Sequence, residues 1–311
     1  MRFLENVIDQ AEDVPREEVE GTSINDLEVL DSVKSPDKIP YHLLGASHGR
    51  RVTRKYQSVR LSEVDGCCPR EYVLGNLLNL QYVDHTRFSN LWQMDMGSAM
   101  HWHVQNSPSY FGDKIVGWWQ CKACGRTRRF GVRPKEACEQ CGAHPRVTEY
   151  KEYMFRLSDP YHVVGKIDLI LRVAPRVYRY GEIKTCSEDK SGPDGSHVAQ
   201  LASYTYFSRY DNQLPITIDR SKSYLFYFNK KFNWNTPVKA FIVKPTESLM
   251  KPITDKMSAI TDGINTGSLL PPLQKCISGG FKKGRAKNCG ISIECQKYFD
   301  RGITSVRSTH E

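Results

Sequence analysis

No stretch of the 311-residue sequence holds about 18 consecutive apolar residues, so a membrane-spanning helix is excluded. The opening residues Met1-Arg2-Phe3-Leu4-Glu5 soon turn acidic and lack the apolar core of a secretory signal. The expected compartment is therefore the cytoplasm, of a bacterium or of a phage-infected host, with no membrane partner. Internal repeats are missing as well. Hydrophobic residues make up 39% and charged residues 25%, the proportions of a folded chain, which excludes wholesale disorder and a collagen-like fibre. A chain this long can bury one large core with additions, or two. Cysteine, by contrast, is plentiful: ten of them in a reducing compartment are better explained by metal than by disulfides.

Acidic residues are unevenly spread. Residues 1–39 hold eleven Asp and Glu against four Lys and Arg, a net −7, so the overall +9 leaves +16 on residues 40–311. Two four-thiolate metal sites would lower that to about +12. A body this basic fits a polyanion, with a merely solubilising surface as the plain alternative. The acidic arm is then suited to docking a protein partner or covering the polyanion's groove. A basic linker, His48-Gly49-Arg50-Arg51-Val52-Thr53-Arg54-Lys55, closes this first segment at residue 55, with no acid before Glu63.

Apolar periodicity predicts helices over 68–82, 96–105, 197–210 and 248–263. Strands are expected over 149–157, 162–173, 177–185, 223–228 and 241–243, the second and third joined by an Ala174-Pro175-Arg176 turn. This mixture predicts an α/β core with helices flanking a mixed sheet.

Two of those strands carry Gly165-Lys166-Ile167-Asp168 and Gly181-Glu182-Ile183-Lys184. Residues two apart on a strand share a face, so Glu182 and Lys184 project together while Ile183 packs behind them. A tight hairpin brings Asp168 beside Glu182. Two carboxylates with a carbonyl make a hard oxygen site suited to Mg²⁺ or Mn²⁺. A lysine beside them can orient water or stabilise charge on a phosphate, which is the equipment of phosphodiester hydrolysis. Alone, Glu-x-Lys is more often a solvated strand face. Gln200 and Tyr204, four apart, share one face of the 197–210 helix. Gly97-Ser98-Ala99-Met100-His101 sets an imidazole four residues after a glycine, and His103 falls on another helix face.

In that order, Gly97 and His101, Gly165 and Asp168, Glu182 and Lys184, Gln200 and Tyr204, the sequence resembles the PD-(D/E)XK nucleases, specifically the RecB-like exonuclease branch, over roughly residues 58–300. The resemblance implies a restriction-endonuclease-like core formed by 56–116 and 147–275. It implies that His101, Asp168, Glu182 and the Ile183 carbonyl hold Mg²⁺ or Mn²⁺, and that Lys184 is the catalytic lysine. Gln200 and Tyr204 would contact DNA or shape the site. The implied activity is a metal-dependent DNA exonuclease of recombination, repair or replication, and a phage would be a fitting source. The rivals are a non-catalytic DNA-binding or scaffold subunit that keeps the fold, and an endonuclease that trims flaps or CRISPR precursors.

Cysteines fall into two further sets. Cys68-Pro69-Arg70 precedes the first helix, and Cys276, Cys289 and Cys295 lie near the other end, in 276–311. Soft thiolates suit zinc or an iron–sulfur cluster. Resemblance to the AddB-type and CRISPR-associated members of the branch implies that these four hold a 4Fe–4S cluster, stapling the first helix to the tail; Cys67 is the alternative to Cys68. Twelve residues separate Cys276 from Cys289, where those relatives often have a close Cys-x-x-Cys. Lys282, Lys283, Arg285 and Lys287 form a basic loop between them, suited to a DNA backbone or simply solvated. Cys186 reads as a buried thiol without a ligand role. The second set, Cys121-x-x-Cys124 and Cys138-x-x-Cys141, has the spacing of an inserted zinc ribbon over 117–146, with a second iron–sulfur site as competitor. Trp118, Trp119, Arg126, Arg128, Arg129 and Arg133 around it suit phosphate pairing and base stacking.

Overall fold

A computed structural model of the chain describes residues 52–84, 88–230, 238–281 and 289–306, with the side chains of 52–55 and 82–92 outside that description. The acidic arm, the start of the basic linker and the basic loop 282–288 lie outside the described residues. The chain divides into two compact units, one of 1–50 with 85–93 and one of 51–84 with 94–311. All ten cysteines and every residue of the expected catalytic set belong to the second unit.

In chain order the elements are β1 (Val52–Lys55), β2 (Val59–Arg60), α1 (Pro69–Leu77), β3 (Gln81–Asp84), α2 (Phe88–Asn106), α3 (Pro108–Phe111), β4 (Val116–Cys121), β5 (Gly131–Val132), β6 (Thr148–Lys151) and β7 (Tyr153–Leu157). They continue with β8 (Val163–Ile167), β9 (Leu169–Ala174), β10 (Val177–Cys186), α4 (Gly195–Phe207), β11 (Ser223–Asn229), β12 (Val238–Val243), α5 (Glu247–Thr266), α6 (Gln274–Ser278) and α7 (Ser292–Asp300). The central sheet has the order β12-β11-β10-β9 and is mixed, because β10 and β11 are parallel while the outer pairs are antiparallel. Smaller sheets have the orders β2-β8-β7 and β5-β4-β6, and β1 pairs with β3. This is a mixed α/β architecture, with a cysteine-bearing segment inserted between β4 and β6.

Strand alternation decides which helix covers which side. Leu169, Leu171, Ile183 and Phe228 pack with Val104 of α2, Trp119 and Tyr150 in one cluster. Ile170, Tyr180, Leu225 and Tyr227 belong to the other, with Leu201, Tyr204 and Phe207 of α4 and Met250, Ile253, Met257 and Ile260 of α5. Parallel strands need a crossover, and α4 supplies it between β10 and β11.

Two departures from the expected elements shape the site. The predicted strand 149–157 is two strands, since β6 pairs with β4 and β7 with β8, and the chain changes sheet at Glu152. Likewise 162–173 breaks at Asp168, where β8 leaves one sheet and β9 enters the other. Hydrophobic alternation runs through Asp168, so periodicity alone reads 162–173 as continuous, whereas Tyr150 and Tyr153, three apart, shift its phase at Glu152. The expected helix 68–82 stops at Leu77, and Asn79, with a φ of 47°, turns the chain into β3. The tail is more helical than expected, since α6 and α7 hold Cys276 and Cys295.

Candidate active site

Register explains how the acids meet. Tyr153 pairs with Ile167 and Leu169 pairs with Gly181, so one step further each way sets Asp168 between Glu152 and Glu182. His101, Glu152 and Asp168 present ligand atoms that all lie within 4.8 Å of one another. His101 Nδ1 is 3.4 Å from Asp168 Oδ2, which also accepts the Ile183 N–H at 2.8 Å. Gln105, one turn after His101 on α2, donates to Glu152 Oε1 at 2.7 Å and to the Asp168 carbonyl at 3.0 Å. Lys166 pairs with the other Glu152 oxygen. Glu152 is absent from the expected site residues. The signal that could have found it was the antiparallel pairing of its strand with the one ending at Asp168.

Glu182 lies on the α4 side, 2% exposed, and outside that trio. Its Oε1 accepts Lys184 Nζ at 2.8 Å and Gln200 Nε2 at 2.7 Å. Gln200 Oε1 accepts Lys184 Nζ at 2.9 Å, and Gln200 Nε2 also reaches the Tyr204 hydroxyl at 2.9 Å. Gln200 and Tyr204 are both buried, so they hold the acid–lysine pair from behind and do not face solvent. Gly165 is required by close approach: a Cβ there would stand 2.4 Å from Phe155 Cζ and 3.1 Å from Tyr204 Cδ1. Ile183 is fully buried on the opposite side of the sheet. His103, exposed, packs edge-on against Tyr110 with ring centroids 5.5 Å apart, away from the acids.

The electrostatics ask for a cation. Burial and the Asp168 charge push the Glu182 carboxyl up to about 8, outweighing Lys184. Glu182 Oε2 is buried with no hydrogen-bond partner in the structure. Burial would lower His101, but the neighbouring Asp168 and Glu182 raise it above its ordinary value. Hard oxygens, an imidazole and an unsatisfied carboxylate oxygen fit Mg²⁺ or Mn²⁺. Without metal, the Glu182 contribution to stability is fully present below about pH 4.5 and is lost as pH rises through about 8. Binding a cation should displace that proton. Mn²⁺ affinity is therefore expected to rise with pH and level off above about 8, with protons released from both Glu182 and His101 on binding at pH 7. Calorimetry in buffers of different ionisation enthalpy measures this; a pH-independent affinity would contradict it.

The second cysteine set forms a quartet. Cys121 and Cys141 sulfurs are 3.8 Å apart and those of Cys124 and Cys138 3.7 Å. All four lie within 4.8 Å of one another. Thiolates about 2.3 Å from a tetrahedral zinc are separated by about 3.8 Å, so the quartet fits zinc. The two knuckles repeat one backbone pattern: Gly125 N–H donates to Cys121 O at 2.8 Å and Gly142 N–H to Cys138 O at 2.7 Å. Both glycines are left-handed, with φ of 75° and 69°, where a side chain would be strained.

The aromatic residues near the ribbon do not serve as expected. Trp119 is 1% exposed, its Nε1 donating to Gly131 O at 3.1 Å, and Trp118 packs edge-on against Phe130. Burial removes Trp119 from any stacking role, while Trp118 stays half-buried. Trp119→Ala should destabilise the fold by about 3–5 kcal/mol in denaturant melts, and a loss below about 1 kcal/mol would contradict the packing. Among the described residues the exposed indole is Trp102, 48% accessible and next in sequence to His101, with the Lys122 ammonium 5.7 Å from its ring centroid. Of the ribbon arginines, Arg126 pairs with Glu139 at 3.4 Å, and Arg128 donates to the Glu136 and Ala137 carbonyls. These two line an open groove with Arg129.

Cys68, Cys276, Cys289 and Cys295 line a single small cavity between α1, α6 and α7. Four soft donors around one void fit a metal–sulfur group. The Cys67 thiol is directed to the Val64 carbonyl at 3.4 Å, and the Cys186 thiol, half-buried, to the Phe228 carbonyl at 3.7 Å.

No helix among the described residues is long and apolar enough to cross a membrane. No protein-family model and no curated protein matches the chain. Among solved structures it is similar to an alkaline exonuclease from Laribacter hongkongensis, at 10% identity over 68% of this chain and 89% of that one, with a TM-score of 0.38. The same exonuclease in complex with dAMP gives the same values. SSO0001 is similar at 15% identity over 82% of this chain and 90% of that one, with a TM-score of 0.34. Likenesses of this size carry no assignment of residues or activity.

Proposed function

We propose that the chain is a metal-dependent DNA exonuclease that hydrolyses phosphodiester bonds at the centre formed by His101, Glu152, Asp168, Glu182 and Lys184. The observation that carries this reading is the convergence of His101, Glu152 and Asp168 within 4.8 Å beside a buried Glu182 oxygen that lacks a partner. Acids so gathered in a chain of net charge +9 favour a phosphate-bearing substrate bound through a cation. Mg²⁺ or Mn²⁺ held by His101, Glu152 and Asp168, with Glu182 adjoining, would supply a Lewis acid for a phosphate oxygen.

The remaining work falls to the chain's own groups. Lys184, fixed by Glu182 and Gln200, donates an N–H to the attacking water and offsets charge developing on the phosphate. The water oxygen bonds to phosphorus as the bond to the leaving sugar oxygen breaks; the water gives up one proton to solvent, and the leaving oxygen takes one up from solvent. Gln105 holds Glu152 to the Asp168 backbone, so the two acids keep their separation. Trp102 and Lys122 offer a base-stacking face beside a cation, next to the site. Zinc in the Cys121 quartet and a 4Fe–4S cluster in the Cys68 cavity complete the reading, as structural groups.

The test uses anaerobically purified full-length protein with end-labelled linear DNA and covalently closed circular DNA. Degradation of the linear substrate with Mn²⁺, none with chelator, and an intact circle are expected. Cleavage of the circle would favour an endonuclease. Tight DNA binding without cleavage under any divalent ion would favour the scaffold role.

A further inference from the structure

Arg70 lies two residues after Cys68, in the first turn of α1, and is 3% exposed. Its Nη1 donates to the Leu270 carbonyl at 2.6 Å, while Nε and Nη2 are buried with no hydrogen-bond partner. The guanidinium lies beside the Cys295 thiol and partly offsets the rise that burial gives it. A buried cation with two unused donors is strongly unfavourable unless an anion stands beside it. Neutral thiols supply none; Glu71 also lines the cavity, and its carboxylate accepts the Tyr56 hydroxyl at 3.2 Å. Four thiolates around an iron–sulfur core carry net negative charge and present sulfur acceptors.

We propose that Arg70 is a positioning residue for the group in the cysteine cavity: its guanidinium, anchored on Leu270 O, neutralises an anionic iron–sulfur cluster and donates Nε–H and Nη2–H to its sulfurs. The inference rests on reading the cavity lined by Cys68, Cys276, Cys289 and Cys295 as an iron–sulfur site. Arginine suits the task because its fork offers several donors in fixed geometry and stays charged when buried. Hydrogen bonds and charge next to the sulfurs stabilise the reduced, more negative state and so raise the potential. They also oppose loss of iron, as outer-shell partners do for metal sites in general.

The experiment compares anaerobically reconstituted wild type with Arg70→Lys, Arg70→Gln and Arg70→Met. The readouts are reduction potential by protein-film voltammetry and the rate of iron loss to a ferrous chelator, with zinc content as the fold control. Arg70→Gln and Arg70→Met are expected to have more negative potentials, and Arg70→Met to lose iron about 10–100-fold faster. Arg70→Lys, which keeps charge without the fork, should fall between. Wild-type potentials and loss rates in both uncharged variants would overturn the role of Arg70 while leaving the cluster in place. Wild type that binds neither iron nor sulfide on reconstitution would instead overturn the iron–sulfur reading, and with it this inference. If Arg70→Met fails to fold, Arg70→Lys still decides, because unchanged behaviour in both readouts contradicts a fork-dependent role.

Discussion

Asp168→Asn is expected to lower cleavage by about three orders of magnitude or more while leaving DNA affinity nearly unchanged. Asparagine keeps the shape, so its carbonyl oxygen can still accept the Ile183 N–H that Asp168 Oδ2 holds at 2.8 Å. The charge at the junction of β8 and β9, between Glu152 and Glu182, disappears. The imidazole of His101 loses its anionic neighbour, and a divalent cation loses its central oxygen. Because Asp168 is buried, the substitution removes no surface that DNA would touch. Single-turnover cleavage of end-labelled DNA at saturating enzyme isolates the chemical step. Residual rates within about tenfold of wild type would contradict the role given to Asp168.

Loss of zinc is expected to have the second large effect. A four-thiolate zinc contributes an apparent 10–16 kcal/mol in small peptides, because the metal stands in for a core that so few residues cannot build. Between the two knuckles the ribbon has only β5, Gly131–Val132, as regular structure. Cys138→Ser, or a strong chelator, should abolish zinc binding and remove hydrogen-exchange protection over 117–147. The damage should also reach α2. Arg133 donates to the Asn106 carbonyl, and Asn106 Oδ1 accepts the Tyr150 N–H at 2.8 Å, so the ribbon and β6 clamp the end of the helix that carries His101. Cleavage should therefore fall about tenfold or more even though no acid is touched. Unchanged zinc content, or unchanged protection in Cys138→Ser, would contradict this account.

One physical rule separates the features legible in the sequence from those hidden in it. Patterns confined to one element were legible: the 3.6-residue repeat of α4 places Gln200 and Tyr204 on one face, and the two-residue repeat of β10 places Glu182 with Lys184. The thirteen residues between Cys124 and Cys138 suit a quartet because each Cys-x-x-Cys-Gly knuckle is closed by its own backbone. Whatever depended on pairing between distant strands was not legible. Glu152 is such a case: the three-residue spacing of Tyr150 and Tyr153 marks a break in phase, but only the pairing of β7 with β8 brings Glu152 to Asp168. Burial of Trp119 is another. Trp118-Trp119 beside arginines reads as a nucleic-acid surface until β4 is seen to pair with β6, turning Trp119 into the cluster with Leu169 and Ile183. Arg70 was visible as part of Cys-Pro-Arg, but its unused donors exist only in three dimensions.

Diffraction from crystals soaked in Mn²⁺, with anomalous differences recorded near the manganese edge, tests the central claim most directly. A cation bonded to His101, Glu152 and Asp168 at about 2.0–2.2 Å, with Glu182 turned toward it and the site empty in Asp168→Asn, is the result expected here. Manganese bound only elsewhere, or no peak at millimolar Mn²⁺, would contradict the claim that these side chains form a metal centre.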